Sequence, residues 1–158
     1  MFTLETFVTE DYGKICYGAT KDSAGLLKLR TTGTLVWLKL IHVSGYLTCN
    51  KYRPEFKSQW GCNTGAPDDM TLATVVTTND NHVILPKPGA TKHNENWFYK
   101  LPSFDVNSPE IRLMDKSLGI RVFAGEVLKI MYGEDWKGVS FEDNEGTHCV
   151  RVIAKFDK

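Results

Sequence analysis

The chain lacks a net charge of either sign, because 19 lysines and arginines balance 19 aspartates and glutamates. A balanced chain has no large positive field for phosphates or anionic lipids, so nucleic acids and membrane surfaces are disfavoured as partners. Long apolar runs are absent as well, since Lys39 and His42 interrupt the longest one, residues 33–47. That run falls short of the ~20 apolar residues that span a bilayer. The sequence therefore predicts no nucleic-acid partner and no membrane insertion.

Residues 1–14 lack the basic segment and the apolar segment of a signal peptide. The start is expected to be either a cytosolic N-terminus or the start of a mature secreted chain that carries an initiating methionine. No pair of cysteines has C-x-x-C spacing either. This absence argues against a zinc ribbon and against a thioredoxin-like redox motif.

Helical periodicity is also missing, and Pro86, Pro88, Pro102 and Pro109 lie where helices would have to form. Instead, short β-rich runs alternate with turns rich in Gly, Pro, Asn and Asp. The runs are 26–31, 34–43, 46–49, 71–78, 82–86, 96–102, 110–114, 119–124, 126–132 and 149–156. They predict a single all-β domain over residues 1–158, an antiparallel β-sandwich of about 8–10 strands with a jelly-roll or galactose-binding-like topology.

Three local expectations follow from these runs. The run 149–156 alternates apolar and polar residues, as a half-buried antiparallel strand does. Residues 121–130 read as a hairpin with Ala124 and Gly125 at its tip, because glycine tolerates the backbone conformation of such turns. Trp37 lies inside the run 34–43, so we expect it to be a core side chain.

Four cysteines, Cys16, Cys49, Cys62 and Cys149, bear on the compartment. Cys49 and Cys62 flank a polar loop that has no apolar periodicity of its own, and a bridge would staple it. That pairing leaves Cys16 with Cys149, joining an early strand to the last one. Four cysteines permit three connectivities, and four free thiols in a cytosolic protein are a further alternative. The pattern favours disulfides and an extracellular context.

Catalytic motifs are absent. Neither Ser44 nor Ser140 lies in a G-x-S-x-G elbow, and every cysteine has a disulfide role open to it. The histidines lie too far apart in sequence for a compact zinc site. Glu134 and Glu142 could serve as the two carboxylates of a glycosidase, but their spacing neither supports nor opposes that chemistry. The sequence predicts a protein that is not an enzyme.

Residues 134–145 concentrate carboxylates and one amide around a tryptophan. Calcium requires six to eight oxygen ligands, and Asp135, Glu142, Asp143 and Glu145 are candidate metal ligands together with backbone carbonyls. The spacing does not match an EF-hand, because no glutamate follows at the position that this loop requires. A solvated loop between two strands is the alternative.

Several aromatic residues lie in predicted loops beside charged or amide side chains. An aromatic face with planar polar neighbours suits a pyranose ring, because CH groups stack on the ring and carboxylates or amides bind hydroxyls. The same composition suits a protein–protein hot spot, and each tryptophan could also be a core side chain. The predicted ligand-binding residues are Trp136, Glu134, Asp135, Asp143, Asn144, Tyr52, Arg53 and Trp60.

Three motifs near the C-terminus carry a family resemblance: YGED at 132–135, EDNEG at 142–146, and then Cys149. Together with the size and the four cysteines, they resemble secreted cnidarian extracellular modules. These include skeletal-matrix-like coral proteins and the cnidarins, small soft-coral proteins that block viral entry. The resemblance covers about residues 34–156. It implies secretion and an extracellular binding role, with no catalytic mechanism.

The sequence thus predicts a secreted, extracellular protein with lectin-like recognition of glycans or glycoproteins, and the resemblance adds antiviral activity through viral envelope binding. No cofactor is required for this role, and calcium is the one candidate. The alternative is an extracellular matrix or mineral-associated structural protein that binds calcium through the acidic loop. Its weakness is the zero net charge. A glycosidase-like enzyme is the least favoured prediction.

Overall fold

The computed structural model describes residues 7–20, 23–64, 71–88, 93, 97–114, 119–133 and 142–158. Within these ranges the strands are β1 (Phe7–Gly18), β2 (Gly25–Lys28), β3 (Gly33–Gly45), β4 (Thr74–Thr78), β5 (Val83–Leu85), β6 (Glu110–Met114), β7 (Ile120–Val122), β8 (Val127–Tyr132) and β9 (Thr147–Asp157). A short 3₁₀ turn spans Pro54–Phe56. None of the helical segments in these ranges has the length and apolar character needed to cross a membrane.

Two antiparallel sheets form the molecule. The first has the strand order β1-β9-β3-β6, with β7 also paired to β3, and the second has the order β2-β8-β4-β5. Their inner faces share one apolar core. This architecture confirms the prediction of an all-β, antiparallel sandwich.

Strand β9 lies between β1 and β3 and shows why these residues form a sandwich strand. Val150, Val152 and Ala154 are completely buried, whereas Arg151 and Lys155 lie on the outer face. The alternation predicted for residues 149–156 is therefore confirmed. Each buried valine contributes on the order of 1.5–3 kcal/mol from the burial of apolar surface.

Strand β3 contains a bulge that the sequence did not reveal. Its register with β9 shifts between Leu35 and Trp37. Because of this shift Leu35 and Leu38 both point into the core, although they lie three residues apart. Trp37 instead faces outward and is partly exposed, opposite Lys155 of β9. The expectation that Trp37 is a core side chain was wrong.

The predicted hairpin over residues 121–130 is a turn between sheets. Strand β7 pairs with β3 in the first sheet, whereas β8 pairs with β2 and β4 in the second. The turn itself is present, with Gly125 at φ 95°. The Gly125 amide donates to the carbonyl of Leu29 at 2.7 Å, so contacts outside the two strands fix the turn.

In two predicted strands, 46–49 and 96–102, the described residues form only isolated bridges, among them Leu47 with Ser58 and Tyr99 with Leu72. Conversely, β1 was not predicted, because residues 7–18 are not among the β-rich runs. A register shift between Asp11 and Gly13 interrupts the pairing of β1 with β9, and Gly13 adopts φ 71° there. Polar residues and a glycine in the middle of the strand concealed its pattern.

Both expected disulfides are present. Cys16 and Cys149 lie directly opposite each other on β1 and β9, with their Cα atoms 4.0 Å apart. Cys49 and Cys62 close the polar loop between them, with their Cα atoms 5.5 Å apart. No cysteine is free. The pairing predicted from the sequence is confirmed, and the other connectivities and the four free thiols are excluded.

We expect the two bridges to contribute unequally to stability, because the entropy that a crosslink removes from the unfolded chain grows with the closed segment. The segments span 133 and 13 residues. Replacing Cys16 and Cys149 by alanine should lower the free energy of unfolding by about 5 kcal/mol, against about 3 kcal/mol for Cys49 and Cys62. Urea denaturation followed by tryptophan fluorescence measures both values, and a reversed order would contradict this account.

Candidate functional site

The Cys49–Cys62 loop and the described end of the acidic loop, which together carry predicted ligand-binding residues, lie side by side. The amide of Thr48 donates to the carbonyl of Glu145 at 2.9 Å, and the amide of Glu145 donates back at 3.1 Å. The amide of Lys51 donates to the carbonyl of Asp143 at 2.6 Å. We call the surface formed by Tyr46 with residues 50–57 and 142–145 the joined-loop surface.

A glycine permits this close approach. Gly146 adopts φ 111°, a conformation that side chains rarely occupy, and a Cβ atom there would collide with the carbonyl of Tyr46. The glycine of the EDNEG motif therefore has a physical role. It brings the end of the acidic loop against the segment that leaves β3.

Tyr46, Lys57 and Glu145 form one contact group on the joined-loop surface. The hydroxyl of Tyr46 donates to Oε2 of Glu145 at 3.4 Å. The ammonium of Lys57 lies 4.3 Å from the centre of the Tyr46 ring. Neither Tyr46 nor Lys57 was among the predicted ligand-binding residues, because Tyr46 lies in the predicted strand 46–49 and Lys57 is one of several charged residues in the Cys49–Cys62 loop. Their arrangement presents an acceptor and a donor next to an aromatic ring.

Tyr52 and Arg53 are exposed on the same surface, as the prediction of accessible loop residues requires. The side chain of Tyr52 is 73% exposed. Lys51 Nζ lies 5.4 Å from its ring centre. Arg53 pairs with Glu55, with 3.2 Å between Nε and Oε1. This ion pair is highly exposed and contributes little to stability.

Asn144, another predicted ligand-binding residue, is mostly buried. Only 5% of it is exposed, and Nδ2 donates to the carbonyl of Ala19 at 3.0 Å. Its Oδ1 atom is also buried and has no hydrogen-bond partner among the described residues. An unsatisfied buried acceptor is costly, by about 1–3 kcal/mol. Among the described residues, the Asn144 Oδ1 atom is therefore an acceptor without a donor.

Trp60 does not belong to the accessible surface. It is 0% exposed, and Nε1 donates to the carbonyl of Ser108 at 2.6 Å. Its ring packs edge-on against His148, with 4.7 Å between ring centres. As a contact residue for a ligand Trp60 was predicted wrongly, because the aromatic ring fills the core at the base of the Cys49–Cys62 loop.

Three predicted residues, Glu134, Asp135 and Trp136, lie outside the described residues, so the structure describes only Glu142 of the pair Glu134–Glu142. Of the candidate metal ligands, Glu142 and Glu145 are exposed, and Asp143 is partly exposed. Across the described ranges, no three His, Cys, Asp or Glu side chains are grouped as a metal site requires. A calcium site built from the acidic loop therefore stays a prediction.

A buried chain of hydrogen bonds lies at the base of these loops. The Thr74 hydroxyl donates to the carbonyl of Trp60 at 3.1 Å, because a carbonyl only accepts. Thr74 is then the acceptor from the Tyr17 hydroxyl at 2.6 Å, and Tyr17 accepts from Nδ1 of His148 at 3.0 Å. Nε2 of His148 accepts from Nδ1 of His42 at 2.8 Å. The opposite direction would lose the bond from Thr74 to Trp60.

This direction assigns the proton of neutral His148 to Nδ1. A second proton on Nε2 would point at the N–H of His42. Burial lowers the pKa of His148 to about 3, and the neighbouring His42 adds to the effect. Burial also raises the pKa of the Tyr17 hydroxyl, so this group remains a neutral donor. His148 is buried on the inner side of β9, whereas its neighbour Cys149 is partly exposed.

Comparison with known proteins adds a relationship at the level of structure. No protein-family model and no curated protein matches the chain. Among solved structures, the chain is similar to AJLec, a lectin from the sea anemone Anthopleura japonica. The identity is 27%, the match covers 94% of this chain and 95% of that chain, and the TM-score is 0.83. The expected cnidarian resemblance is thus supported at the coarser level of a lectin-like fold.

The buried histidine predicts a specific dependence of stability on pH. Below the ordinary pKa of 6.5 the unfolded chain takes up a proton that native His148 refuses until about pH 3, so stability falls as the pH falls. Between pH 7 and pH 5 we expect this residue to cost about 2 kcal/mol. Urea denaturation at both pH values measures the loss.

His148→Gln should flatten this pH dependence, while His82→Gln serves as the matched control. His82 is an exposed histidine near Asp80, with 3.1 Å between Nδ1 and Oδ2. We expect the control to keep the decline of the original protein. An equal decline in the original protein and in His148→Gln would contradict the assignment.

Proposed function

We propose that the protein is an extracellular lectin that recognises glycans or glycoproteins through the joined-loop surface. The observation that carries this proposal is the similarity to a sea anemone lectin over nearly the whole of both chains. Lectins bind sugars without transforming them, in agreement with the expectation that the protein is not an enzyme. Two disulfides agree with an extracellular location.

The chemistry of the joined-loop surface suits a sugar ring. Tyr52 offers a largely exposed aromatic face, on which the CH groups of a pyranose can stack. The carboxylate of Glu145 can accept from sugar hydroxyls, and the ammonium of Lys57 can donate to them. Donor, acceptor and aromatic face thus occur together, as orientation of a polar ligand requires.

The buried hydrogen-bond chain supports recognition without contacting the ligand. Trp60 closes the Cys49–Cys62 loop on its buried side, and its carbonyl accepts from Thr74 of β4. The loop that presents Tyr52 and Arg53 is thereby fixed to the second sheet. A fixed loop loses less conformational entropy when a glycan binds. In this proposal Trp60 is a positioning residue.

We propose two further properties, each independent of the other: the protein blocks viral entry, and it binds calcium. Binding of envelope glycans would block entry, in line with the resemblance to the cnidarins. For calcium, the candidate ligands are Asp143 and Glu145 with Asp135 and Glu142, and Asn144 between them in sequence carries a buried Oδ1 atom with no hydrogen-bond partner among the described residues. Carboxylate and amide oxygens are the ligands that calcium prefers.

A glycan array, run with and without EDTA, tests the lectin proposal. We expect binding of a limited set of glycans by the original protein. Tyr52→Ala should reduce it by about tenfold, the loss that a central aromatic contact typically causes. Failure to bind any glycan or glycoprotein in either buffer would overturn the proposal.

Phe123→Ala is the matched control for Tyr52→Ala. Phe123 is 54% exposed, and it follows β7, which pairs with the Gly33 end of β3. The joined-loop surface lies beyond the Gly45 end. We expect this variant to bind as the original protein does. Equal losses in both variants would show that binding does not involve the joined-loop surface.

A thermal melt with added calcium tests the metal separately. A bound ion at saturation should raise stability by roughly 3 kcal/mol, since ligands that bind only the native state stabilise it by mass action. Asp143→Asn, combined with Glu145→Gln, should abolish the increase. An unchanged melting temperature of the original protein would contradict the calcium site. It would not contradict glycan binding, which the glycan array tests separately.

A further inference from the structure

The outer face of the five-stranded sheet carries an ordered set of basic side chains. Paired residues form rows across β1, β9, β3 and β6. The rows are Thr9, Lys155, Trp37 and Met114, then Asp11, Ile153, Lys39 and Arg112, then Lys14, Arg151, Ile41 and Glu110. All twelve side chains are exposed or partly exposed. This outer-sheet surface lies on the side of the sheet away from the core.

Positive charge prevails on the outer-sheet surface, although the chain as a whole is neutral. A fourth row adds Asp157, Thr34 and Arg121. Among the described residues of these five strands, six cations therefore face outward with three carboxylates. The cations are Lys14, Lys39, Arg112, Arg121, Arg151 and Lys155. The acidic and basic residues are equal in number in the sequence, but the fold places an excess of basic residues on this surface.

Two of the carboxylates are engaged with two of the cations. Asp11 forms an ion pair with Arg151, whose Nε donates to Oδ2 at 2.9 Å. Glu110 lies 3.8 Å from the ammonium of Lys39. Across the ranges that the structure describes, no ion pair involves Arg112. Arg112 thus keeps its donors for a ligand.

Trp37 lies in the middle of these cations. The guanidinium of Arg112 is 4.8 Å from its ring centre, and the ammonium of Lys39 is 5.5 Å away. Lys155 is its direct neighbour across the strand pair. Cations that lie over the indole can bind the anionic substituents of a sugar whose ring packs against the exposed part of Trp37.

We infer that the outer-sheet surface binds sulfated polysaccharides. Neighbouring strands lie about 4.8 Å apart and alternate residues of one strand about 6.7 Å apart, so the cations form a flat array for an extended polyanion. A sulfated sugar chain supplies both the repeated negative charges and the ring faces that Trp37 requires. The two disulfides are typical of extracellular proteins, and sulfated polysaccharides occur outside cells, so we favour them over nucleic acids as the ligand.

This inference is independent of the joined-loop surface, because no residue belongs to both surfaces. Binding of the protein to immobilised heparin, over a range of salt concentrations, is the test. We expect binding that weakens with salt, and none to heparin from which the sulfates have been removed. Arg112→Gln with Lys155→Gln should weaken binding by at least about tenfold and reduce the salt dependence by about two counterions.

Lys28→Gln with Lys129→Gln is the matched control, since it removes the same charge from the second sheet. Lys28 is exposed on β2, and Lys129 on β8 donates to Asn81 at 3.1 Å. We expect this double variant to keep its heparin affinity. Equal losses in the two double variants, or binding to desulfated heparin, would overturn the inference. So would failure of the original protein to bind heparin at low salt.

Two further measurements distinguish the contribution of ring stacking from that of charge, and binding of sulfated sugars from binding of nucleic acids. Trp37→Gln should weaken binding without changing its salt dependence, because it removes the ring and no cation. Duplex DNA should compete poorly with heparin. Competition by DNA at equal charge concentration would show a general polyanion surface and overturn the assignment to sulfated sugars. Thermal melts of each variant verify that the fold is kept.

Discussion

The buried hydrogen bonds from His42 through His148, Tyr17 and Thr74 to the carbonyl of Trp60 form a polar connection between the two sheets. His42, His148 and Tyr17 belong to the first sheet, and Thr74 belongs to the second. In an apolar core each of these groups would be costly without a partner. Each group satisfies its neighbour, and the bond from Tyr17 to Thr74 is the one of the four that runs from the first sheet to the second. This bond favours the relative position of the sheets in which it forms, which apolar packing alone would not specify.

That position determines where the loops emerge. Strand β3 ends close to His148, and Gly45 at this end permits close approach to Thr147. The Cys49–Cys62 loop returns to the core through Trp60, and the acidic loop returns through Gly146. Both loops are therefore held at their bases by buried contacts, and the bridge between Thr48 and Glu145 joins them above. The two loops form one surface because the same buried contacts hold both of them in place.

The structural features that depend on local sequence pattern could be predicted from the sequence. The alternation of residues 149–156 and the Cys49–Cys62 pair could be predicted, because strand period and the closure of a 13-residue loop act within short segments, whereas Cys16–Cys149 was favoured only as the remaining pair. The placement of Trp37 and Trp60 could not. A bulge in β3 turns Trp37 outward, and Trp60 enters the core by pairing with groups distant in sequence. Likewise, the approach of Thr48 to Glu145 results from long-range pairing, which no local composition encodes.

The contrast between balanced composition and separated charge has a consequence for recognition. A net charge of zero argues against a strong field at long range, but contact with a polyanion depends on charges within about a Debye length, roughly 8 Å at physiological salt. On the outer-sheet surface, Lys39, Arg112 and Lys155 lie well within such a distance of Trp37. Because the whole chain is neutral, we expect it to attract a polyanion only where the polyanion lies directly against the outer-sheet surface. A polyanion that wraps the molecule would also meet the exposed carboxylates of Glu142 and Glu145. The same composition that argues against nonspecific attraction therefore favours an oriented contact with the sheet.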